Sequence, residues 1–374
     1  MKIGVMTFWW SQDNYGQLLQ CYALQKYLRD LGHDAYLIKY RMLPPRINLG
    51  QKFMKYGLHP WRIFEGFNRV KVRHRALADN SRFDRKFDEF REKHLKMGEV
   101  AYSTIEELLG NPPQADMYVT GSDQVWNIDG SFSHGDARAY FLDFGPSGAM
   151  RLAYAPSFGR RSIPETERAR IAPYLKRFAA VSCRERDGVS ICKSCGIDAK
   201  WVCDPTLLLD KAAWNGLAAP IRRERGYVFV YMLANPCDFS LQDLSEWARG
   251  EGLDVVYVKG NRGAVTCYSD EGFPESNPTI EQWLGYIRGA QCVVTNSFHC
   301  SLFATVFGRP FGVVPLTGRH SGANNRIMDL CGLCGNEPCI LGGGDYGRIL
   351  DAQPPQCPDD VGQSGRMFIE ENMR

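Results

Sequence analysis

The chain has 374 residues, 44% hydrophobic and 23% charged, the balance of a globular protein long enough for two α/β domains. Its formal net charge of +3 supplies no concentrated basic face, so composition gives no footprint of a nucleic-acid binder. No run approaches the ~18 uninterrupted apolar residues of a membrane-spanning helix. Met1-Lys2 leads into an apolar stretch too short for an export signal, so the expected location is the cytoplasm, free or peripheral at the inner face of the membrane.

In chain order, Lys2 to Phe8 is a β-rich apolar run suited to a buried parallel strand. A polar loop carrying Asp13, Asn14 and Gly16 follows, then Leu18, Leu19, Tyr22, Ala23, Leu24, Tyr27 and Leu28 recur at helical spacing. Ala35 to Tyr40 supplies the next strand, completing a β-α-β unit with a right-handed crossover. Residues 44–100 break this rhythm. Pro44-Pro45 is followed by charged sequence in which Phe64, Phe67, Val70, Phe83, Phe87 and Phe90 fall at helical intervals, so a helical insertion is expected. Its Arg69, Lys71, Arg73 and Arg75 read as a solvated face, with contact to an anionic acceptor or membrane surface as the alternative.

The α/β alternation resumes with strands at 117–120, 152–155 and 179–182. A boundary near Asp204-Pro205 divides an N-terminal Rossmann-like domain (1–205) from a second one (206–374) with an irregular tail. In the second, strands are expected at 227–233, 254–259, 292–295 and 311–314, with helices at 239–250, 280–289 and 298–307. The fold class is therefore α/β, two Rossmann-like lobes facing across a cleft. In such sheets ligands bind beyond the carboxyl ends of the strands, so residues just after strands carry the functional interest.

Four clusters stand there. Asn14 to Gln17 opens a helix, and its N-terminus with Gly16 offers N–H groups to an anion. Gly121-Ser122-Asp123-Gln124-Val125-Trp126-Asn127 follows a strand. Asp123 reads as a base or hydroxyl-positioning group, or as a simple cap; Trp126, with Asn127 beside it, reads as a sugar-stacking ring or as core. Arg184 lies just past a strand, where a guanidinium suits a carboxylate or phosphate; a salt bridge to Glu185 or Asp187 is the plainer reading. Finally, Asn296-Ser297 ends a strand and His299 falls in the first turn of an apolar helix, a position suited to a general acid or base, with a capping network without chemistry as the alternative. Arg319-His320 and Asn325-Arg326 add positive and hydrogen-bonding groups downstream.

Thirteen scattered cysteines fit reduced, buried thiols better than a disulfide framework. Cys192/Cys195 and Cys331/Cys334 with Cys339 have the spacing of metal half-sites, but they lie far apart in the chain and no metal is expected.

These segments, with Ala153 to Gly159, Asp204-Pro205-Thr206-Leu207-Leu208-Leu209 and Phe307-Gly308-Arg309-Pro310-Phe311, occur in one order that resembles the polysaccharide pyruvyl transferase family, from Met1 to about Leu333. The resemblance implies a GT-B-like architecture and transfer of pyruvate from phosphoenolpyruvate to a sugar of a cell-surface glycan or its precursor, forming a ketal. It implies no cofactor besides that donor, and a saccharide acceptor that is free or lipid-linked. By resemblance His299 matches the family's essential histidine and Arg184 the arginine associated with the donor. Arg326, or failing it Arg319, stands for the basic residue expected after the Phe-Gly-Arg-Pro segment. Asn14, Gly16 and Ser297 would add donor contacts at helix N-termini, with Asp123 beside His299 in catalysis and Trp126 and Asn127 toward the acceptor. The chain departs from the pattern at Cys300, where glycine is common, and in the cysteines of its tail. Rival readings are a sugar-nucleotide glycosyltransferase on the same scaffold and a non-catalytic glycan-binding relative.

Overall fold

The computed structural model describes residues 1–41, 84–127, 137–233, 237–260, 273–342 and 344–373, with the side chains of 319, 320 and 323 left aside. Two parallel sheets form, each covered by helices.

The first contains strands β1 (Lys2–Met6), β2 (Asp34–Tyr40), β3 (Met97–Tyr102), β4 (Met117–Thr120), β5 (Met150–Ala153), β6 (Ala180–Cys183) and β7 (Ala199–Trp201). Their order is β3-β2-β1-β4-β5-β6-β7. The strands between the two edges are almost wholly buried, as expected where helices cover both faces. Helix α1 (Tyr15–Asp30) makes the first crossover, capped by Asn14, whose side-chain oxygen accepts from Gln17 N. Helices α2 (Phe87–His94), α3 (Ile105–Gly110), α4 (Glu165–Leu175) and α5 (Arg186–Ser194) follow.

The second sheet has β8 (Tyr227–Leu233), β9 (Asp254–Gly260), β10 (Cys292–Thr295), β11 (Phe311–Val313) and β12 (Cys339–Ile340), ordered β12-β11-β10-β8-β9. Its helices are α6 (Lys211–Leu217), α7 (Leu241–Gly250), α8 (Ile280–Gly289), α9 (Phe298–Phe307), α10 (Asn325–Leu333), α11 (Gly347–Asp351) and α12 (Gln363–Glu371). The strand order reverses between β1 and β4 in one sheet and between β8 and β10 in the other. Those are the switch points at which doubly wound sheets open a crevice. The register sets Met6 opposite Thr120 and Tyr231 opposite Thr295, so the flanking loops leave each sheet at a common end.

The expected helical insertion is modified. Residues 42–83, which include Arg69, Lys71, Arg73 and Arg75, lie outside the described residues. Of the remainder, Phe87–His94 is helical, but Met97–Tyr102 is the edge strand β3. Its exposed Glu99, Val100 and Ala101 show why no apolar run announced it.

Beside the cleft the lobes share one continuous apolar cluster. Tyr15, at the start of α1, stacks on Trp283 of α8 with ring centroids 5.0 Å apart, and its hydroxyl donates to Pro278 O at 2.7 Å. Buried Arg85 reaches across from just before α2 to Lys259 O and Glu275 Oε1, both at 2.8 Å. Helix α12, although last in the chain, packs back on the first lobe. There Phe368 meets Tyr154, and Tyr27 Oη donates to Glu370 Oε1 at 2.7 Å.

Candidate active site between the lobes

Side chains that follow β1, β4, β6, β7 and β10 converge where the two switch points face each other. Their centre is Asp204, the N-cap of the 3-10 turn Pro205–Leu208 and only 2% exposed. Its Oδ1 accepts from Thr206 N at 3.0 Å and Thr206 Oγ1 at 2.7 Å. Oδ2 accepts from Ser122 Oγ at 3.1 Å and Arg184 Nη1 at 2.9 Å, and His299 Nε2 lies 3.6 Å from it. Burial by itself would raise the proton affinity of this carboxyl. His299 and Arg184 outweigh burial and hold it well below the usual carboxylate range.

Arg184 is equally buried. Besides Asp204 it reaches Ser122 Oγ at 3.3 Å and Glu185 Oε1 at 3.0 Å, and its guanidinium sits 4.6 Å from the centre of the Phe298 ring. Burial opposes its charge, but Glu185, Asp204 and Asp123 more than restore it, so the net shift is upward. The second terminal nitrogen, Nη2, is buried with no hydrogen-bond partner among the described residues. A buried donor without an acceptor is costly, and the usual resolution is a ligand or water.

His299 comes from the other lobe, in the first turn of α9. Its ring lies directly on Gly16. A methyl group at Gly16 would come within 2.6 Å of His299 Cβ and closer still to Cγ and Nδ1. Glycine is thus required for the two helix N-termini to meet. The preceding Asn296 clamps β8, its amide oxygen accepting from Leu233 N at 2.7 Å and its amide nitrogen donating to Leu233 O at 3.0 Å. Ser297 is the N-cap position of α9, nearly buried, with its backbone N–H bonded to Thr295 Oγ1 at 3.0 Å.

Arg326, in the first turn of α10, joins the same electrostatic neighbourhood. Burial and then the positive charge of Arg184 lower its proton affinity, against the pull of Glu185 and Asp123. Neighbouring Asn325 fastens this helix to the first lobe, accepting from Arg161 Nη2 at 2.9 Å and donating to Asp187 Oδ2 at 3.1 Å. Arg319 lies on the 3-10 turn Gly318–Asn324, and its side chain is outside the description.

The loop after β4 divides its residues between two tasks. Asp123 holds left-handed backbone, φ 73°, uncommon for a non-glycine residue. Its Oδ1 accepts from Gln124 N at 2.8 Å, and its charge acts on Arg184 and Arg326. Trp126 does not reach the cleft. It is fully buried, stacked on Phe141 at 5.2 Å with Nε1 bonded to Tyr140 O at 3.1 Å, so it has no face for a sugar; the sugar-stacking reading is replaced by a core role. Asn127 is part-buried and donates to Gln124 Oε1 at 2.8 Å.

Among the described residues no group of three or more His, Cys, Asp or Glu side chains is placed to hold a metal ion. Cys192 packs instead on Cys183, with the sulfurs 3.6 Å apart, and Cys334 shares a hydrogen bond with Cys357. No helix of the described residues is long and apolar enough to cross a membrane.

The residue missed by sequence reading is Asp204. The signal was present, an Asp-Pro just past a strand, but it reads equally well as a domain boundary.

Comparison with known structures agrees with the architecture. A Listeria monocytogenes protein assigned as a UDP-N-acetylglucosamine 2-epimerase aligns over 99% of this chain and 95% of its own, with TM-score 0.50 and 10% identity. The Methanocaldococcus jannaschii UDP-GlcNAc 2-epimerase aligns over 99% of this chain and 100% of its own, with TM-score 0.49 and 12% identity. At 10% identity the likeness to the Listeria monocytogenes protein concerns the fold alone. A search of curated proteins finds no significant match. The family model for polysaccharide pyruvyl transferase matches residues 14–316, which hold Gly16, Asp123, Arg184, Asp204 and His299, and the chain belongs to that family.

Proposed function

We propose that the protein transfers pyruvate from phosphoenolpyruvate to two hydroxyls of a sugar in a cell-surface glycan or its precursor, forming a ketal and releasing phosphate. The observation that carries this reading is the unpartnered, buried Nη2 of Arg184 between the lobes, with the second cation of Arg326 in its field. Two guanidinium groups that repel each other in a partly dry site favour a multiply charged anion between them. The N-terminus of α1 at Gly16 would add N–H donors to that anion.

In this scheme protonation of the methylene carbon makes the adjacent carbon oxocarbenium-like, and a sugar hydroxyl adds to it. The C–O bond to phosphate breaks and the second hydroxyl closes the ketal. Of the two protons the hydroxyls lose, one balances that gained by the methyl group and the other leaves on phosphate. His299 carries protons in these steps, a role worth roughly 10²–10⁴-fold. Asp123 is the second candidate for a hydroxyl contact. The scheme calls for no cofactor, and the acceptor is a free or lipid-linked saccharide met at the cytoplasmic side.

The test is phosphate release from phosphoenolpyruvate across a panel of saccharide acceptors, with sugar nucleotides as alternative donors. Acceptor-dependent phosphate is expected. Release of a nucleoside diphosphate instead would establish a glycosyltransferase, and sugar binding with neither release a non-catalytic relative. Arg326→Met should raise KM for phosphoenolpyruvate about 10- to 100-fold, the worth of one or two charge-assisted hydrogen bonds. An unchanged KM removes Arg326 from the donor site.

A further inference from the structure

The two nitrogens of His299 face different things. Nε2 is buried and points at Asp204 Oδ2, 3.6 Å away. Nδ1 lies against Gly16 at the first turn of α1. Asp204 cannot turn to accommodate either tautomer, because Thr206 holds Oδ1 through two donors while Ser122 and Arg184 hold Oδ2. An ionised carboxylate only accepts hydrogen bonds, so the imidazole nitrogen facing it is favoured when it bears the hydrogen.

We propose that Asp204 is a positioning residue that sets His299 as the Nε2–H tautomer, leaving Nδ1, beside the α1 N-terminus, as the nitrogen that exchanges the proton. The 3.6 Å separation is longer than a hydrogen bond, as is common before substrate draws a site together. Through Oδ2 the same carboxylate also fixes Arg184, so one group sets both the proton carrier and the anion clamp relative to each other. The choice of reaction rests on the pyruvyl-transfer reading; the tautomer does not.

Substitution by alanine removes the preference. No acceptor then faces Nε2, and the hydrogen is free to sit on either nitrogen.

The experiment is a long-range ¹H–¹⁵N correlation spectrum of the full-length, ¹⁵N-histidine-labelled protein, recorded where imidazoles are uncharged. Seven histidines give few signals, and His299→Gln identifies the one required. The unaltered protein should show His299 protonated on Nε2. Asp204→Ala should move it toward a mixture of the two tautomers and lower kcat by about a hundredfold or more. An Nδ1–H tautomer in the unaltered protein overturns the proposal, and so does an unchanged tautomer in Asp204→Ala. If that variant does not fold, the unaltered spectrum still decides. Failure of the pyruvyl-transfer reading would appear separately, as no phosphate release from the unaltered enzyme, with the spectrum unaffected.

Discussion

Gly16 shows how narrow the tolerance of this site is. Its backbone is ordinary helix, so alanine carries no conformational strain there and improves local helix propensity. The added methyl nevertheless occupies the space of the His299 ring. Gly16→Ala should therefore fold normally by circular dichroism, yet lose roughly a hundredfold in kcat, the usual consequence of displacing a catalytic group by about 1 Å. Retained kcat would mean that the ring has room to move. Asp204 allows a prediction about pH. Its carboxyl is depressed in the folded state, so its stabilising contribution is complete above the ordinary carboxylate pKa of about 4 and declines as pH falls below it. The Tm gap between the unaltered protein and Asp204→Asn should narrow as pH falls below about 4; a gap unchanged through that range would show that the charge is not the source. Both residues reveal what sequence discloses at this scale. Arg184 and His299 are legible because they follow apolar strands directly. The role of Asp204 is hidden because Ser122 and Arg184, which bond its Oδ2, lie 82 and 20 positions away. Trp126 misleads because a tryptophan in a polar loop looks available until Tyr140 O and Phe141 cover it.

Elements were legible where burial leaves a pattern. β8 and β10 are nearly continuous apolar runs, and α9 ends at Gly308, left-handed at φ 66°, as a helix stop requires. β3 failed to announce itself because an edge strand with one half-exposed face needs no such run. What sequence cannot convey is how elements are joined at the site. Asn296 performs that task for β8 and β10, standing in for a backbone pairing at Leu233. Asn296→Ala would strip both polar groups of Leu233 of their partner in a nearly buried place, at about 1–3 kcal/mol for each group left unsatisfied. Urea unfolding should show a loss of about 2–6 kcal/mol with an unchanged m-value. A loss below 0.5 kcal/mol would mean that water replaces the amide there.

At the scale of the molecule, the contacts that join the lobes among the described residues include three far from α10: Tyr15 on Trp283, Arg85 on Lys259 O of β9, and α12 laid back over the first lobe. The third connects to the candidate site. Gly365 lies over Tyr154 and Cys203, and a methyl there would come 3.0 Å from Cys203 Sγ and closer to Tyr154 Oη. Cys203 immediately precedes Asp204, and Arg366 donates to Leu208 O at the far end of the turn that Asp204 caps. The seating of the last helix therefore bears on both ends of the segment that orients the carboxylate. Overpacking a well-filled contact costs about 1–3 kcal/mol. In a protein of this size Gly365→Ala should lower Tm by several degrees. It should also lower kcat, although residue 365 is remote in sequence from every reacting group. A fall in Tm with kcat unchanged would show that the turn holds Asp204 without help from α12. A fall in both, undone by Tyr154→Phe, which removes the oxygen nearest the added methyl, would show that the chain's last helix is part of the scaffold of the proposed active site.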